Sequence, residues 1–196
     1  MAKLYVIQTG QTAWEPQQRM ESAAGLPLTQ QGAAEVALAA RQLSGRNILA
    51  VHAGDGEAER QSAGILAGVL GVKVRIHNDL REFDYGLWQG LTMNEIKRRS
   101  PKVYRQWREA PSGVCPPGGE TLAEAQDRLR SALRGILKRR RNEVALVVLR
   151  PVAMGLVRCL LAGRPIDGLW QDVEAKLTWD CYEMEGKTLL HAPEGP

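Results

Sequence analysis

Residues 3–76 alternate apolar runs with helical patterns, and this alternation limits the fold more than any other feature of the chain. Lys3 to Gln8 reads as an apolar strand that runs straight into Thr9, Gly10, Gln11 and Thr12, small and polar residues suited to a tight turn. Thr29 has the chemistry of an N-cap. Ala33, Val36, Ala37, Ala40 and Leu43 then recur at helical spacing until Gly45 stops the pattern. Ile48 to Val51 reads as a second strand, Glu57 to Leu70 as a second helix closed by Gly71, and Val72 to Ile76 as a third strand. A β-α-β-α-β order implies a largely parallel sheet covered on both faces. Its ligand site is expected beyond the carboxyl ends of the strands.

The later sequence extends the same plan. Asp79 to Gly90 is irregular and mixes acids with aromatics, after which Thr92 caps a short helix that Pro101 interrupts before Tyr104 and Trp107. Ala110 to Gly119 is rich in proline and glycine, and Thr121 opens a long helix with Leu122, Ala125, Leu129, Ala132, Leu133 and Ile136 on its apolar face. Val144 to Leu149 is expected to be a buried strand and Val152 to Leu161 a helix. Lys176 to Met184 and Thr188 to His191, turned at Glu185 and Gly186, suggest a terminal hairpin. No repeat or linker interrupts the chain, so a single domain over 1–196 is expected.

Composition narrows the function classes. No apolar run approaches the roughly 20 residues of a membrane span, and residues 1–10 lack the plan of a signal peptide, so a cytoplasmic address is expected. Cys115, Cys159 and Cys181 are widely spaced and form no CxxC or Cys/His cluster, which argues against a disulfide framework or a zinc site. No metal or cofactor is expected. The formal net charge of +4 tolerates an anionic partner without specifying one. Lys138 to Arg141 closes a helical pattern, where cations complement the carbonyl end of the dipole; a solvated helix end is a simpler reading than a nucleic-acid patch.

Four segments, LYVIQTGQT at 4–12, PLTQQG at 27–32, LREFDYGLWQGLTMNEI at 80–96 and PPGGET at 116–121, together resemble the histidine phosphatase superfamily, the phosphoglycerate-mutase-like clan. The segment from Phe83 to Trp88 and the short chain are similar to its small phosphatase branch, such as the α-ribazole phosphatases. The resemblance implies a three-layer α/β/α fold around a mostly parallel sheet. It also implies a mechanism in which a histidine attacks phosphorus, two arginines and a second histidine hold the phosphoryl oxygens, and a carboxylic acid protonates the leaving group.

Carried over residue by residue, this machinery is altered. Gln8 and Thr9 stand where the family's opening motif has arginine and the attacking histidine, followed by the matching Gly10 and Thr12. Ala58 takes the place of the second phosphate arginine, and Leu149, Arg150 and Pro151 replace Ser-His-Gly after the fourth strand. Glu82 matches the proton donor. A threonine hydroxyl needs an adjacent base to act as nucleophile, and neither Gln8 nor Arg150 accepts a proton at neutral pH. Loss of such a nucleophile costs on the order of 10⁶ in turnover. Charge-assisted hydrogen bonds worth roughly 1.5–3 kcal/mol each are missing at Gln8 and Ala58.

The expected function is therefore a catalytically degenerate member of the family retained as a binding, regulatory or assembly module. The alternative is altered phosphomonoesterase activity without a phosphohistidine. Glu15 and Glu21 add acid to the neighbourhood, and Arg150 is expected to pair with Glu82 and close the old pocket, since an unpaired buried charge is costly. Thr9, Gly10, Thr12, Arg19, Arg81, Glu82 and Arg150 are the candidate ligand contacts, with an anionic small molecule, a protein or a second copy of the chain as partner classes. His52, His77 and His191 lie outside the motifs and read as structural. Trp88, Trp107 and Tyr85 read as packing anchors more simply than as a specificity pocket.

Overall fold

The computed structural model describes residues 3–22, 25–139, 143–173, 176–185 and 188–192. Its elements in chain order are β1 (Lys3–Gln8), α1 (Gln30–Gln42), β2 (Ile48–Ala53), α2 (Glu57–Leu70), β3 (Lys73–Ile76), α3 (Met93–Arg99), α4 (Pro101–Glu109), α5 (Leu122–Arg139), β4 (Val144–Leu149), α6 (Pro151–Leu161), β5 (Trp179–Glu185) and β6 (Thr188–Ala192). The six strands form one sheet in the order β3-β2-β4-β1-β5-β6. Pairing is parallel from β3 through β1 and antiparallel at β5 and β6. The turn proposed at Glu185 and Gly186 falls in part outside the described residues.

Side-chain alternation along the central strands builds two cores. Leu4 and Val6 of β1 join Ala145, Val147 and Leu149 of β4 on the face covered by α5 and α6. Tyr5 and Ile7 join Leu146 and Val148 on the opposite face, under α1 and α2. Strands buried on both faces read as continuous apolar runs, and helices on both sides make the three layers. β3 departs from the expected double coverage: all four of its residues are exposed, because it lies at the sheet edge with a neighbour on one side only.

Local chemistry sets the helix ends. Thr29 Oγ1 accepts from Gly32 N at 3.0 Å, and Gly71 closes α2 in the left-handed conformation at φ 68°. Thr92 and Glu95 form a reciprocal capping box at α3, and Thr121 and Glu124 exchange the same bonds before α5. Pro101 does more than interrupt: as the first residue of α4 it starts a second helix, where its missing N–H costs nothing and its φ is already helical. Pro151 opens α6 in the same way, one residue before the expected start.

Candidate functional site

The site begins where β1 and β4, adjacent at the centre of the sheet, both end. Gln8 lies opposite Leu149, and Thr9 N donates to Leu149 O at 2.8 Å, so Thr9 and Arg150 leave the sheet side by side. Gln8, Thr9 and Arg150 are 3%, 1% and 3% exposed. Gly10 follows at a position that accepts no side chain: an added Cβ would stand 2.5 Å from Gly32 O of α1. Its need for glycine is close backbone approach and not a positive φ. Gly10 N donates to Ser62 Oγ at 3.1 Å, which ties the turn to α2, and Ala58 is buried in the first turn of that helix.

Arg150 does not pair with Glu82, as the sequence had suggested. Its Nη2 lies 2.9 Å from Glu21 Oε2 and its Nη1 3.4 Å from Glu15 Oε1, both carboxylates coming from the segment after β1. Glu21 Oε2 also accepts from Thr12 Oγ1 at 2.5 Å. Glu82 instead spans the first turn of α6, accepting from Val152 N at 2.9 Å and Ala153 N at 2.7 Å, and from Phe83 N at 2.7 Å. The reason is local. Backbone N–H groups at a helix start have no partners within the helix, and the carboxylate satisfies two of them at the positive end of the dipole. Glu82 is therefore committed to α6, which leaves the guanidinium to Glu21 and Glu15.

Four carboxylates act on one buried cation. Burial works against the charge of Arg150, but Glu21, Glu15, Glu82 and Glu59 outweigh it and hold the guanidinium above its ordinary value. Burial pushes Glu15 up to about 7 against the pull of Arg150. Glu82 also rises to about 7, again chiefly through burial, although Arg150 and its three backbone donors oppose the shift. Glu59, 3% exposed, is raised by burial. Thr9 Oγ1 is buried and makes no hydrogen bond among the described residues. A general base must lie within hydrogen-bond reach of the proton it takes, and none does so here.

The remaining candidates lie apart from this cluster. Arg19 donates to Gly90 O at 2.8 Å and lies 3.7 Å from Glu95; Arg81 faces Glu120 at 3.8 Å. Both arginines thus have partners in the chain. His52 and His77 are hydrogen-bonded to each other, Nδ1 to Nε2 at 2.8 Å, across β2 and the residue after β3. The side chain of His191 lies outside the described residues. Trp88, Trp107 and Tyr85 pack with Phe83 in one aromatic cluster at centroid separations of 5.0–6.3 Å, as anchors do. Cys115 is exposed, Cys159 and Cys181 are buried, and none forms a disulfide. Among the described residues no group of three His, Cys, Asp or Glu side chains could hold a metal ion, and no helix is long and apolar enough to cross a membrane. Sequence reasoning passed over Glu59. The available signal was its place directly after Ala58 in the altered motif.

Comparison with known proteins fits this architecture. Phosphoserine phosphatase 1 of Hydrogenobacter thermophilus is 26% identical over 170 residues, which are 87% of this chain and 81% of that protein. The Bifunctional protein Rv2228c of Mycobacterium tuberculosis is 32% identical over 164 residues, 82% of this chain but 45% of that protein. The solved structure of Bacillus stearothermophilus YhfR superposes with a TM-score of 0.91 at 25% identity, covering 98% of this chain and 96% of that one. The sequence model of the family matches residues 4–191, and the chain belongs to the histidine phosphatase superfamily, branch 1.

Proposed function

We propose that this chain has left phosphohistidine chemistry and serves as a non-catalytic binding, regulatory or assembly module. The observation that carries the reading is that Arg150, at the position matching the family's second histidine, is held by the chain's own Glu21 and Glu15. A carboxylate 2.9 Å from a buried guanidinium fills the place an external oxyanion would take and repels a second anion. Thr9, matching the attacking histidine, has no base bonded to its hydroxyl among the described residues. Glu82, matching the proton donor, already accepts from three backbone N–H groups. Those bonds tie the carboxyl to the start of α6, away from Arg150.

Purified protein assayed against a panel of phosphomonoesters, with phosphoserine first because of the relative named for it, tests the reading. The expected result is no turnover, with activity appearing in the combined Gln8→Arg, Thr9→His, Ala58→Arg and Arg150→His variant. Turnover by the unaltered chain that disappears in Glu82→Gln overturns it and favours altered phosphomonoesterase chemistry.

A further inference from the structure

The surface of α3 and α4 carries a concentration of positive charge, as the run Lys138 to Arg141 also does. Residues 97–109 contain Lys97, Arg98, Arg99, Lys102, Arg105 and Arg108 against the single Glu109, a formal +5, whereas the whole chain carries +4. All other residues together therefore stand at −1; with Glu95 of α3 included, residues 93–109 carry +4, as much as the whole chain. The six cations are exposed, and among the described residues none forms an ion pair within 4 Å, although Arg99 acts on Glu95 at longer range. Elsewhere Arg81, Arg128, Arg150, Arg158 and Arg164 each have one. Two of the six make weak ring contacts: Lys97 lies over Tyr104 at 5.6 Å and Arg108 over Trp170 at 5.9 Å.

The two helices are firmly seated. Ile96 and Trp107 are buried in the core, and Trp107 stacks edge-on against Trp88 and Trp170 at 5.6 Å and 5.1 Å. Like charges gathered on an anchored surface cannot move apart, and they lower the free energy of a polyanion laid across them.

We infer that the exposed face of α3 and α4 binds the phosphodiester backbone of a nucleic acid, in a manner independent of base sequence. The chemistry of the face selects among polyanions. A protein interface is built on an apolar centre, and stable residence on a membrane needs inserted apolar side chains. The large exposed apolar side chains of the described residues, such as Leu38, Leu49, Val69 and Leu87, all lie outside residues 93–109. Phosphodiester binding needs cations alone. Four of the six are arginines, whose planar fork matches phosphate oxygens. The feature differs from the Lys138 to Arg141 run, part of which lies outside the described residues. It is also independent of whether the pocket at Arg150 is catalytic.

Fluorescence anisotropy with a labelled duplex DNA of about 24 base pairs, and with an RNA strand of the same length, tests the inference. Engagement of four phosphates predicts a fall in duplex affinity of roughly a hundredfold between about 50 and 200 mM salt. The variant Arg98→Gln, Arg99→Gln, Lys102→Gln, Arg105→Gln removes side chains that form no ion pair within 4 Å among the described residues, and it is expected to lose at least tenfold in affinity with a shallower salt dependence. A control with Arg41→Gln, Lys73→Gln, Arg75→Gln, Arg134→Gln has the same net charge and is expected to bind as the parent does. Equal losses in both variants, absence of binding at the lower salt, or binding to phosphatidylserine vesicles in place of either nucleic acid overturns the inference.

Discussion

Arg150 and Glu21 meet at 2.9 Å, Nη2 to Oε2, with 3% and 6% of their side chains exposed. The two charges come from opposite parts of the chain, one at the start of α6 and one in the segment after β1. Thr12 donates to the same carboxylate oxygen and joins the pair at the centre of the sheet's carboxyl edge. Buried ion pairs of this kind are costly to assemble, and removing one partner costs more than the pair contributes.

Arg150→Met tests that cost. The substitution strands Glu21, Glu15 and Glu59 without their cation, and a loss of about 3–5 kcal/mol is expected in urea unfolding. Adding Glu21→Gln to Arg150→Met should restore part of the loss, because the uncompensated charge is then removed. Additive losses in the double variant would show that the two residues are not coupled.

Stability should fall as pH rises from about 5.5 to 7.5. Glu15 and Glu82 stand at about 7 in the folded chain against 4.5 for an ordinary glutamate, mainly through burial. Between those values the folded state keeps protons that the unfolded chain has released. Their stabilising contribution is therefore complete below about 4.5 and is lost as pH rises through about 7. The slope is at most about 1.4 kcal/mol per pH unit for each group. Urea midpoints across this window measure it, and Glu15→Gln should flatten the profile. A midpoint that climbs with pH would contradict the assignment.

Glu82→Gln is expected to destabilise the fold by about 1–3 kcal/mol. An amide presents one acceptor oxygen where the carboxylate presents two, and its NH2 group would face backbone donors at the start of α6. Hydrogen exchange should quicken first at Val152 and Ala153. Unchanged protection there would mean that α6 does not depend on this side chain.

Gly10→Ala should cost about 1–3 kcal/mol, the usual range for overpacking. The new methyl group would meet the α1 backbone at Gly32 O, 2.5 Å away, and the Val36 side chain at 2.9 Å, and the backbone cannot swing aside. Gly64→Ala is the companion control: its added Cβ meets open space in the middle of α2, so stability should hold or rise. Equal effects of the two substitutions would argue against the close contact.

The sequence by itself determined the elements and their order. Thr29, Thr92 and Thr121 start helices through bonds that reach three residues along the chain, Gly71 ends one through its own backbone freedom, and the apolar runs of β1, β2 and β4 are long enough to be read alone. The identities at the altered motifs, Gln8, Thr9 and Arg150 at the strand ends and Ala58 in the first turn of α2, were equally legible, because a motif is local. What each side chain pairs with was decided only by the tertiary structure. Glu82, Glu21, Glu15 and Glu59 were all available in composition to neutralise Arg150, and the sequence suggested Glu82. The unsatisfied N–H groups of α6 claim that carboxylate, while the turn after β1 carries Glu15 and Glu21 to the guanidinium. Caps are settled within one turn of backbone, but the partner of a buried charge depends on which carboxylates packing brings within about 4 Å and which are already committed.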